Sequence, residues 1–100
     1  MGIFNSFSTI NQINTQLKDL ENQITITRDM VMRDASKMEL ERCLNLLKKM
    51  HQNLINTFSQ SSTAMAASYT IYNCKMTMPE ILTYSKNVIM NLAVIIAKMD

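Results

Sequence analysis

The sequence predicts an all-α fold, an antiparallel helical hairpin extended to a roughly four-helix bundle, and three observations carry that expectation. The only glycine is Gly2 and the only proline Pro79, so the 76 residues from Ile3 to Met78 contain no strong backbone breaker. Apolar residues recur at steps of three and four over most of that length. Ser36 with Glu39, and Thr77 with Glu80, have the spacing of capping boxes that start helices. At 100 residues the chain makes one domain, 1–100, with helices expected at 8–33, 37–58, 63–76 and 78–98.

The first helix rests on Ile3, Ile10, Leu17, Ile24, Val31 and Met38, which recur every seven residues, with Ile13 and Leu20 between them, a coiled-coil-like seam. A second stripe, Leu40, Leu44, Leu47, His51, Leu54 and Phe58, is displaced by one residue, which rotates the seam by about 100 degrees. A phase change of that kind marks a break, so a tight turn is expected at 34–37, with one continuous helix from 8 to 58 as the alternative. Ser59, Ser61, Ser62 and Thr63 end the second stripe. Met65, Tyr69, Tyr72 and Met76 then suggest one face of a third helix beside the small residues Ala64, Ala66, Ala67 and Ser68. β-Hairpins usually lean on glycine for positive φ, and its absence argues against one here. The last helix carries Ile81, Tyr84, Val88, Leu92, Ile95 and Met99, widened by Leu82, Ile89, Ala93 and Ile96, and is apolar around most of its circumference.

Composition narrows the function classes. The net charge of +2 is far from the basic stripe that neutralises phosphates, so no nucleic-acid partner is expected. Thirteen of the eighteen charged residues lie between Lys18 and Lys49, and none between Met50 and Cys74. That neutral segment suits close helix packing, a subunit interface or an ordinary neutral surface. Two cysteines, Cys43 and Cys74, and one histidine, His51, cannot assemble a zinc site within one chain. An interhelical disulfide is conceivable in an oxidising compartment, whereas two buried thiols suit a reducing one. His51 lies on the apolar stripe of the second helix, where a histidine is usually a satisfied core or interface residue. Glu39 with Glu41, and Asp19 with Glu21, are two residues apart and do not face each other on a helix. No catalytic set, cofactor, metal or small-molecule substrate is therefore expected. The start of the chain lacks the flank and apolar core of a signal peptide, and the most apolar stretch, 88–97, is about half a bilayer span. The expected location is cytoplasmic, with contact to a membrane surface available through Gly2, Ile3, Phe4 and Phe7. Gly2 followed by Ser6 also fits the N-myristoylation pattern.

The opening Gly2-Ile3-Phe4, the run Asp34-Ala35-Ser36-Lys37 followed by Cys43 and Lys48-Lys49-Met50, and the methionine-rich later segments resemble the ESCRT-III (charged multivesicular body protein) family. The likeness is confined to these short stretches. It implies a filament subunit that remodels membranes, with Gly2, Ile3 and Phe4 as the matching membrane-contact positions. Read from the residues themselves, the expectation is a non-enzymatic helical module, adaptor or oligomer, that binds a partner protein or itself. Its expected interface is Leu47, Leu54, Phe58, Met65, Tyr69, Tyr72, Val88, Leu92 and Ile95. A small bacterial or phage helical chaperone or inhibitor of a specific target is the remaining alternative.

Overall fold

The structure, a computed structural model, describes residues 2–99 and the side chains of residues 7–99. The side chains of Gly2, Ile3 and Phe4, named above as membrane contacts, lie outside the described residues.

Helix α1 runs Gly2–Met32. Ile13, Leu17, Leu20 and Ile24 return at steps of four, three and four and are all buried, so the expected seam is a core seam. Its end is a Schellman motif. Ala35 N–H donates to the Met30 carbonyl at 2.9 Å and Asp34 N–H to the Val31 carbonyl at 3.2 Å. Asp34, with φ 56°, fills the left-handed position that glycine usually takes. Helix α2, Lys37–Phe58, begins at once. Glu39 N–H donates to Ser36 Oγ at 3.2 Å, and Ser36 N–H to the Glu39 carboxylate at 3.1 Å. Back-to-back stop and start signals break the chain at the expected turn, so residues 8–58 are a hairpin rather than one rod. Gln16 Nε2 donates to Thr57 Oγ1 at 3.0 Å and Cys43 Sγ lies 3.5 Å from Met30 Sδ, which fixes the antiparallel register.

The helix expected at 63–76 is not formed. Helix α3 covers only Ser62–Ala66, and strands β1 (Ser68–Ile71) and β2 (Cys74–Thr77) pair antiparallel, Tyr69 opposite Met76 and Ile71 opposite Cys74. The physical reason is a period of two. Tyr69 and Ile71 are buried while Ser68 and Thr70 are exposed, and aromatic and β-branched side chains favour that pleated surface. The connecting residues Tyr72 and Asn73 both have positive φ, 50° and 62°, as a tight type I′ hairpin turn requires. Asparagine tolerates that region; a tyrosine there is an outlier that must be held.

Helix α4, Met78–Ala97, opens where the Glu80 carboxylate accepts from Thr77 N–H at 3.0 Å and Thr77 Oγ1 at 2.9 Å. It packs principally on α2 and buries Ile81, Ser85, Leu92 and Ile96. The molecule is thus mostly helical, with three long helices, a one-turn helix and a two-stranded sheet. One continuous core joins them, including Leu40, Leu47, Leu54, Phe58, Ala64, Tyr69 and Ile71. By length and composition alone α4, Met78–Ala97, reaches the threshold for a membrane span, as the core helix of a soluble protein also can.

Candidate functional site

In the described part of α4, the residues toward α1 meet two different neighbours. Near its start the β-hairpin fills the space between α4 and α1, and Tyr72 is the wedge. Its hydroxyl donates to the Glu21 carbonyl at 2.8 Å and lies 2.9 Å from Thr25 Oγ1, while its backbone N–H donates to the Glu21 carboxylate. The Arg28 guanidinium sits 5.9 Å from its ring centroid, and Tyr84 meets it edge-to-face at 6.4 Å. Burial, then the neighbouring Tyr72, pushes the Tyr84 hydroxyl above its ordinary pKa. These contacts hold the left-handed Tyr72 and tie the hairpin to both helices.

Below the wedge no described residue fills the gap. A groove of about 220 Å³ lies between the helices, lined by Ile24, Thr27, Val31, Val88, Leu92 and Ile95, with Arg28 and Asn91 beside them. Tyr72 joins the level of Glu21 on α1 to that of Tyr84 on α4, and the groove is lined by later residues of both helices, so α4 runs parallel to α1 here. Ile24 and Leu92 are buried at its floor, whereas Ile95 is 39 % exposed. Around the helix, Met90 and Val94 (51 % exposed) extend the apolar surface outward. Tyr84, Val88, Asn91 and Ile95 step by four, three and four and are uncharged, and the next step of three reaches Lys98 at the end of the helix. The groove is apolar along its walls, with the exposed Arg28 and Asn91 at its edge and Thr27 buried, its hydroxyl donating to the Gln23 carbonyl.

Elsewhere, His51 joins two helices. His51 Nδ1 lies 2.9 Å from Ser85 Oγ across the α2–α4 contact. Ser85 is buried, so its hydroxyl is reachable by His51 but not by a substrate. Burial, and then the Lys86 ammonium, holds the imidazole below its ordinary pKa of 6.5. Cys43 is buried and Cys74 exposed, both free, rather than two buried thiols. Among the described residues no cluster of metal-ligating side chains occurs.

Of the expected interface residues, Leu47, Leu54, Phe58, Tyr69 and Leu92 belong to the chain's own core. Phe58 meets the Tyr69 ring edge-to-face at 5.6 Å, and the Tyr69 hydroxyl donates to the Ala64 carbonyl at 2.8 Å. Their apolar stripes pack against each other within the monomer and leave little surface for a partner. Tyr72 is half-buried as the wedge, and Met65 is exposed on α3, away from the groove. Val88 and Ile95 line the groove together with Ile24, Thr27, Val31 and Asn91, which the sequence reading did not place in the interface. The α1 members were hidden because one helix face was assigned wholly to the hairpin seam. Phe7 is 63 % exposed at the start of α1. No protein-family model matches this chain, and no curated protein or solved structure matches it either.

Proposed function

We propose that this chain is a non-enzymatic protein-interaction module whose working surface is the α1–α4 groove and the adjoining face of α4. The observation that carries this reading is the unfilled apolar groove below the Tyr72 wedge, walled by Val31, Val88 and Ile95. Its apolar lining suits the apolar face of a helix laid along α4, the helix-in-groove mode of recognition. A photo-reactive side chain introduced at position 91 of the full chain, in its source cells, tests it. The expected result is a protein adduct that is lost in the Ile95→Asp background and absent from a control position at Thr63. No adduct above the control would refute the reading. An adduct with a different, defined protein would fit a chaperone or inhibitor; an adduct with the same chain would fit self-association.

One observation favours a second reading, contact with a membrane through the start of α1. Phe7 is a large aromatic side chain left exposed there, three residues beyond the Gly2-Ile3-Phe4 opening that resembles ESCRT-III. Flotation of the full chain with anionic vesicles, compared with Phe7→Ser, tests it: the substitution should reduce the floated fraction several-fold, and equal flotation would remove this reading.

A further inference from the structure

We propose that the free edge of strand β1 binds an extended peptide segment of a partner protein, one that carries an acidic side chain. This surface is separate from the α1–α4 groove, and the inference stands without it.

The register of the β-hairpin decides which backbone groups are free. A two-residue turn makes Ile71 and Cys74 a hydrogen-bonded pair, and the antiparallel alternation makes Tyr69 and Met76 the next one. Ser68 and Thr70 fall between these pairs, so their N–H and C=O groups point away from β2. Tyr72 N–H follows on the same edge, and its partner is the Glu21 carboxylate of α1, which stands where a third strand would. Ser68 and Thr70 have no such partner among the described residues. Beside them a polar cleft of about 660 Å³ opens between the edge and α1, lined by Asn14, Lys18, Glu21, Ser68, Thr70 and Asn73.

The free groups select the occupant. Donors and acceptors two residues apart, about 6.8 Å along the edge, are matched by another extended backbone. A helix cannot supply that match, because its own backbone groups are bonded internally. Strand addition of this kind takes its affinity from main-chain hydrogen bonds and its specificity from the side chains alongside. Lys18 is such a side chain. It has no ion-pair partner among the described residues, whereas Glu21, the other charge in the cleft, accepts from Tyr72 N–H. An acidic residue on the added strand gives Lys18 its counter-charge. A second copy fits less well. Each β1 edge is tied beside its own α1 through Glu21, so two edges could meet only by bringing both helices, about 10 Å across, into a space where a strand needs about 4.8 Å.

The test selects displayed random short peptides against the immobilised full chain, with Thr70→Pro as the counter-selection. Proline deletes one outward N–H and leaves the Tyr69–Met76 and Ile71–Cys74 pairs in place, and circular dichroism checks its fold. Enriched peptides should hold β-branched and aromatic residues around an Asp or Glu, and should bind Thr70→Pro at least about tenfold more weakly. If that variant unfolds, backbone N-methylation of the enriched peptide takes its place and should cost as much. Lys18→Glu should weaken binding several-fold and favour the same peptides with Lys in place of the acid, an exchange that loss of a structural side chain does not produce. In amide hydrogen exchange the peptide should slow Ser68 and Thr70 and leave Lys75, which points outward from the opposite edge, unchanged. No sequence enriched over the counter-selection overturns the inference, and so do enriched peptides that leave the Ser68 and Thr70 amides unprotected. Protection of Thr70 that rises with the concentration of the chain alone gives the edge to a second copy and overturns it too.

Discussion

Tyr72 decides more of this fold than any other single side chain. Its backbone sits at φ 50°, a conformation that costs an L-residue about 1–2 kcal/mol. The hydrogen bonds to Glu21 and Thr25 and the rings of Tyr72 and Tyr84 offset that cost. Tyr72→Phe removes the hydroxyl and should lower stability by about 1–2 kcal/mol in denaturant titration. Asn73→Val, at φ 62°, puts a β-branched side chain in the left-handed region and should destabilise by about 1–2 kcal/mol, whereas Asn73→Gly should not. His51 gives a pH dependence whose sign follows from its depressed pKa. The folded state binds the proton less readily than the unfolded state, so its contribution is complete above pH 6.5 and declines as pH falls through 6.5 toward the folded value. The melting temperature should fall over that window, and His51→Gln should remove that part of the fall; an unchanged profile would show that His51 does not carry it.

Among the elements, the α1–α2 hairpin was the most legible. The one-residue shift between the two apolar stripes and the Ser36–Glu39 spacing located the turn without any glycine. The structure adds that Asp34 serves as the left-handed cap. Asp34→Gly should therefore raise stability by roughly 0.5–1 kcal/mol in the same titration, because glycine accepts that φ without strain. The β-hairpin was misread for the converse reason. The lack of glycine argues against positive φ, yet Tyr72 and Asn73 both adopt it. Tyr69, Ile71 and the alternating Ser68 and Thr70 carried the period-two signal, but Met65, Tyr69, Tyr72 and Met76 also fit a helical spacing. Tertiary contacts from Glu21 and Arg28 settled the conflict, and they join residues about fifty apart in sequence. On α4 the apolar circumference was visible, but its division between core and groove depends on the hairpin wedge, which periodicity does not encode.

The whole molecule is three long helices with α4 held mainly by α2, and the space beside α1 is closed by the hairpin over part of its length only. That arrangement leaves an apolar wall between α1 and α4, the surface proposed above for a protein partner. The most direct test is methyl NMR of the isoleucine-labelled native chain, over a dilution series in buffer and in lysate of its source cells. Ile24 and Ile95 report on the groove, while Ile26, exposed on the other side of α1, and Ile55 on α2 serve as internal controls. Concerted shifts at Ile24 and Ile95 with concentration or in lysate, with Ile26 and Ile55 unchanged, are the predicted result. Groove signals that stay fixed in every sample would contradict the account.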